Sequence, residues 1–150
     1  MKVQTKSFTD FTTTELYNVL TLRNVVFVVE QNCAYLDTDG YDDKAHHVLI
    51  YNENDDLAAY CRIFTDGIKY DSASIGRVIV NPKYRGSHLG HLLISEAIKS
   101  IENLYTSTVI TLSAQEHLQN FYGKHGFETV SSVYLEDNIP HVEMVRKKEH

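Results

Sequence analysis

Ile75-Gly76-Arg77-Val78-Ile79-Val80-Asn81-Pro82-Lys83-Tyr84-Arg85-Gly86-Ser87-His88-Leu89-Gly90 is the stretch that decides how this 150-residue chain is read. Its apolar, β-branched start predicts a strand, which Pro82 closes because its ring nitrogen cannot donate to a ladder. A glycine-bearing turn then runs into Leu89, Leu92, Leu93, Ala97, Ile101 and Leu104, the cleanest helical period in the chain. The first N–H groups of such a helix lack partners within it, and the macrodipole makes that end attractive to phosphate. Arg85 adds a fixed cation of bidentate geometry. The loop is not a Walker A motif, since no Gly-Lys-Ser/Thr follows. Nor is it a dinucleotide fingerprint, since Gly-x-Gly-x-x-Gly is absent and the strand lies mid-chain. From the loop alone, a plain strand-to-helix turn with glycines for steric reasons stands as the alternative.

Working outward, Lys2–Phe8 alternates as an opening strand, and Thr12-Thr13-Thr14 offers N-caps for a stripe at Leu16, Val19, Leu20, Arg23, Val26 and Phe27. The β-branched run at 25–29 weakens the end of that helix. A polar loop, 32–44, precedes strands at His47–Tyr51, Leu57–Phe64 and Ile75–Val80. After the central helix come a strand at Thr108–Ser113, a short helix at Ala114–Lys124 stopped by Gly126, and a hairpin of Phe127–Glu136 with His141–Lys147. This order predicts an α/β fold in one domain, 1–150, antiparallel in front and with a parallel crossover later.

The net charge of −6 argues against a nucleic-acid binder. Its distribution is uneven. Residues 72–95 hold no acid but carry Arg77, Lys83 and Arg85. Residues 30–43 carry Glu30, Asp37, Asp39, Asp42 and Asp43 and no Lys or Arg, so one segment can receive an anion and the other can face a cation. The polar N-terminus and the absence of a long apolar run predict a cytoplasmic protein with no membrane partner. Cys33 and Cys61, without paired spacing, read as free thiols. Asp37-Thr38-Asp39-Gly40 lacks EF-hand spacing, and adjacent His46 and His47 point to opposite faces of a strand, so no metal is expected.

Val78-Ile79-Val80-Asn81-Pro82-x-x-Arg85-Gly86-x-x-x-Gly90 resembles the acetyl-CoA motif of the GNAT superfamily of N-acetyltransferases. Phe121-Tyr122-Gly123-Lys124-His125-Gly126-Phe127 resembles that family's second cofactor motif. Leu22-Arg23-x-x-Val26-Phe27-Val28-Val29-Glu30-Gln31, Asp39-Gly40, Ser113-Ala114-Gln115-x-His117-Leu118 and Ile139-Pro140-His141 resemble its ElaA-like branch. The likeness spans nearly the whole chain. His88 departs from the family glycine, which implies an unfavourable backbone angle or a different turn. Gln115 stands where many relatives carry Asn.

The resemblance implies a central mixed, mostly antiparallel sheet of 6–7 strands with flanking helices. Two parallel strands would splay beside a bulge to form the CoA cleft. It implies acetyl transfer from acetyl-CoA to a primary amine, with cofactor contacts at Val78, Ile79, Val80, Arg85, Gly86, Ser87, His88, Leu89, Gly90, Gln115 and Tyr122. The backbone near Ile79 or Val80 would stabilise the oxyanion. Tyr122 is the candidate general acid. Glu30 is the candidate base, on the expectation of partial burial, with His47 and His141 as further candidates at the acceptor side. The acidic 30–43 segment suggests a cationic small-molecule or peptide amine as acceptor. A non-catalytic acyl-CoA-binding module of the same fold is the alternative. The oligomeric state stays open, a homodimer included.

Overall fold

The computed structural model describes residues 1–148. Strand β1 (Lys2–Ser7) leads to α1 (Thr13–Arg23), whose start is fixed by a capping box. The Thr12 hydroxyl accepts from the Glu15 N–H at 3.1 Å, and the Glu15 carboxylate accepts from the Thr12 N–H at 2.9 Å. Beyond Arg23 the helix does not stop but widens into a π-helical stretch, Asn24–Glu30, with i→i+5 bonds such as Gln31 N–H to Val26 O at 3.1 Å. The crowded Val25, Val26, Val28 and Val29 side chains account for a loosened winding there.

Strands β2 (His46–Tyr51), β3 (Leu57–Phe64) and β4 (Ala73–Val80) continue the antiparallel half of the sheet. Helix α2 (Leu89–Tyr105) crosses back, so β5 (Val109–Gln115) lies parallel to β4. A single helical turn, Glu116–Leu118, and α3 (Gln119–Gly123) follow, then β6 (Glu128–Thr129), β7 (Tyr134–Glu136) and β8 (Ile139–Lys147). The sheet runs β1-β2-β3-β4-β5-β8-β6, with β7 also on β8.

Eight strands stand where six or seven were expected. The expected long strand at Phe127–Glu136 is broken between Val130 and Val133, where the Ser131 hydroxyl accepts the Glu143 N–H at 2.8 Å. Both pieces still pair with β8.

The core lies on both faces. On one, Leu93, Ile94, Ala97 and Ile101 of α2 pack on Ala59, Cys61, Ile63, Ile110 and Leu112. On the other, Val19, Leu22 and Val26 cover Leu49, Tyr60 and Ile79. Burial of these side chains is what orients α1 and α2 about the sheet.

Candidate active site

The site begins where two parallel strands part. β4 and β5 pair only at Ala73↔Ile110 and Ser74↔Thr111. Beyond that point β4 stays with β3, and β5 stays with β8 as far as Gln115↔His141. Their facing backbone edges are therefore open, which is the geometry an extended ligand can enter as an added strand.

A bulge in β4 drives the divergence. The register places Tyr60 opposite Ile79 but Arg62 opposite Gly76, so Cys61 alone faces both Arg77 and Val78. Arg77 adopts a left-handed backbone, φ +52°. The resulting cleft is lined by Gly76, Arg77, Val78, Leu112, Ser113 and Gln115. Its other walls are Tyr122, Glu136, His141 and the 27–37 segment, including Gln31 and Cys33. Cys33 is free; Cys61 is also free but buried in the core, where burial raises its thiol well above the usual range.

Past the end of β4, α2 starts without a side-chain cap, its Gly90 beside Val80 and Phe121. Gly86 takes φ +87°, a conformation that favours glycine, and His88 takes φ +61°, the strained angle its replacement of glycine implied. Leu89 is core, and the Ser87 hydroxyl donates to Tyr84 O at 2.6 Å. Gly90 lets the helix approach closely: a Cβ there would sit 3.2 Å from the Phe121 ring, so the ring would have to give by a few tenths of an ångström. Ile79 points away from α2 into the α1 core.

Tyr122 enters from α3 with its ring wedged between Phe121 and Phe127, at centroid distances of 5.0 and 6.1 Å. The residue is buried yet lines the cleft. Burial, and secondarily the nearby Cys61 thiol, raises its phenol above the usual tyrosine range, so the proton is held at neutral pH.

Three sequence expectations are corrected. Glu30 is not partly buried: its side chain is 41% exposed, its carboxylate is forked by Arg85, and it does not line the cleft. His47 is not at the acceptor side. It is buried on the α1 face, with Nδ1 2.6 Å from the Tyr60 hydroxyl and Nε2 2.9 Å from Asp42 O. Burial lowers its pKa to about 4, so the ring is neutral and structural.

The acidic segment, thirdly, is not an open cation trap. Arg23 reaches Asp37 at 2.5 Å and Asp42 at 2.7 Å, Arg77 reaches Asp37 at 2.8 Å, and Arg62 binds Asp39 and Asp42. Burial opposes ionisation of Asp39 and Asp42, but the arginines outweigh it and hold both carboxyls below the usual range. The network pins the 32–43 loop over the cleft and ties it, through Arg77, to the bulge. His141 lines the cleft.

Residues 24–148 match the acetyltransferase (GNAT) domain family. The chain belongs to that family. Protein ElaA of Escherichia coli strain K12 is 42% identical over 140 residues, covering 92% of this chain and 91% of its own. Its crystal structure superposes with a TM-score of 0.90 over 97% of this chain and 99% of the other. An acyl-CoA N-acyltransferase from Pseudomonas aeruginosa gives the same score at 42% identity, covering 97% of this chain and 99% of its own. More distantly, an aminoglycoside 6'-N-acetyltransferase complexed with coenzyme A shares the fold at 15% identity and a TM-score of 0.73, covering 98% of this chain and 97% of its own. Acyl transfer is thus the family's chemistry, and the ElaA-like branch is the one this chain falls in. Among the described residues, no helix is long and apolar enough to cross a membrane.

Proposed function

We propose that the protein transfers an acetyl group from acetyl-CoA to a primary amine by direct attack. The observation that carries this is the parting of β4 from β5 after Ser74 and Thr111, with Tyr122 in the gap and the uncapped start of α2 past the end of β4. The diphosphate would lie on the N–H groups of 86–90, with Arg85 beside them, and the pantetheine arm along Val78 and Val80. Gln115 would contribute its amide. The backbone N–H at Ile79 or Val80 is the oxyanion donor, a contribution of order 3 kcal/mol. Tyr122 donates its proton to the departing thiolate.

The N-acyltransferase description of the Pseudomonas relative and the coenzyme A bound to the aminoglycoside enzyme support an acyl-CoA donor. Acetyl is the acyl group of this reading, and Leu112 and Tyr122 line the same cleft as the bulge residues Arg77 and Val78. Glu136 and Asp137 on the cleft wall, rather than the paired loop aspartates, support a cationic acceptor.

A thiol-release assay with acetyl-CoA against a panel of primary amines tests the reading. Release dependent on the amine is expected. Acetyl-CoA binding without release for any amine would favour a non-catalytic acyl-CoA module instead, and absence of binding at millimolar acetyl-CoA would remove both.

A further inference from the structure

Neither Glu30 nor His47 lines the cleft, whereas Glu136 and His141 do. We infer that Glu136 docks the acceptor's ammonium group and that Nε2 of His141 takes its proton. The inference rests on the acyl-transfer reading above.

His141 sits on β8 between Gln115 of β5 and Tyr134 of β7 in the register. Its Nδ1 lies 2.7 Å from the Ile139 carbonyl, which can only accept. Nδ1 therefore carries a hydrogen, and in the neutral ring Nε2 presents a bare lone pair. That lone pair lies 3.3 Å from Glu136 Oε2. Two acceptors facing one another call for a donor, and an alkylammonium supplies an N–H to each. Both groups line the same cleft as Tyr122.

The pair is held in place. The other carboxylate oxygen of Glu136 is 3.5 Å from the Ser113 hydroxyl, which is hydrogen-bonded to Tyr134, whose ring stacks on His141 at 6.2 Å. The remaining titratable and charged groups around the ring are Asp137 in the β7–β8 turn, Glu143 along β8, and Tyr122, Cys33, Tyr35, Asp37 and Arg77 on the other cleft walls. Asp37 is engaged by Arg23 and Arg77.

In the step, an N–H bond of the ammonium breaks and the proton moves to Nε2. The electron pair stays on nitrogen and forms the C–N bond as the carbonyl π pair moves to oxygen. The oxyanion then restores the C=O, and the C–S bond breaks with its pair on sulfur. Tyr122 protonates that sulfur, and the nitrogen gives up its second proton, which restores the phenol through solvent. The imidazolium is then stabilised by the Glu136 carboxylate and the Ile139 carbonyl until it returns its proton to water.

The test is steady-state thiol release with acetyl-CoA and two acceptors, an alkylamine and an aromatic amine that is neutral at the assay pH. His141→Gln should lower kcat/KM for the alkylamine roughly 10²-fold at neutral pH. The deficit should shrink as pH rises and be small for the aromatic amine, while acetyl-CoA affinity by calorimetry stays unchanged. Glu136→Gln, at a position whose side chain is 52% exposed, should raise KM for the alkylamine alone. A His141→Gln loss equal for both amines at every pH, or no loss, overturns the assignment. Wild-type protein that turns over no amine removes the acyl-transfer reading and this one with it, so the two failures are told apart.

Discussion

Arg85 and Glu30, fifty-five residues apart, form a two-pronged ion pair, Nη2–Oε1 at 2.7 Å and Nη1–Oε2 at 3.0 Å. It joins the end of the π-helical stretch to the loop that enters α2. The cation proposed for the diphosphate is thus already paired with a carboxylate.

If the diphosphate takes Arg85, Glu30 competes with the cofactor instead of serving as a base. The pair is substantially exposed, and such pairs are worth about 0.2–1 kcal/mol. Glu30→Gln should leave kcat within roughly twofold and lower KM for acetyl-CoA by up to about fivefold. Arg85→Ala should raise that KM. A large fall in kcat with KM unchanged would return Glu30 to the role of base.

The arginine–aspartate network should be a stability element. Arg23 is 1% exposed and Asp37 5%, so deleting the cation leaves Asp37 to Arg77 alone and Asp42 to Arg62 alone, with a buried carboxylate short of one partner. Arg23→Met is expected to cost about 3–5 kcal/mol. For a chain of this size that lowers Tm by roughly 10 °C, measurable by calorimetry. Faster proteolytic cutting within 32–43 should accompany it, because the loop is fastened at Arg23, Arg62 and Arg77. An unchanged Tm would mean that the network adds no net stability.

Acid sensitivity follows from His47. Its pKa is lowered from 6.5 to about 4, so between those values the unfolded chain binds a proton that the folded one refuses. Its contribution is complete above pH 6.5 and is lost as pH falls towards 4, about 3 kcal/mol in all. His125, lowered by burial and by His91 and Arg146, adds in the same direction. The depressed Asp39 and Asp42 matter only at lower pH, once the unfolded carboxyls begin to protonate. Urea unfolding across pH 4–6.5 should show the slope, and His47→Gln should flatten it. An equal slope in the variant would assign the loss elsewhere.

Much of this architecture was readable beforehand, because local chemistry specified it. The apolar period of α2, the Pro82 stop and the glycine-bearing turn each depend on residues a few positions apart. Even the strain at His88 was implied by a single departure from glycine, and φ is +61°. What the sequence hid was long-range. The acids of 30–43 look unpaired in any short window because Arg23, Arg62, Arg77 and Arg85 reach them from other elements. Likewise, Glu136 and His141 flank a turn with an unremarkable polar sequence. Only the Asp137-Asn138 reversal, both at positive φ, brings the carboxylate to the imidazole.

Tyr122→Phe separates proton donation from packing. The ring fills the space between Phe121 and Phe127, and phenylalanine keeps that volume, so Tm should move by less than about 2 °C. Burial raises the phenol's pKa, so the group holds its proton at neutral pH and is present as a donor rather than as a base for the amine. Turnover should therefore fall roughly 10²-fold while acetyl-CoA affinity, measured by calorimetry, stays nearly constant. The loss should persist with an aromatic amine, which bypasses His141 but still needs the thiolate protonated. Unchanged turnover in Tyr122→Phe would leave the tyrosine as a packing residue and require another donor for the leaving sulfur.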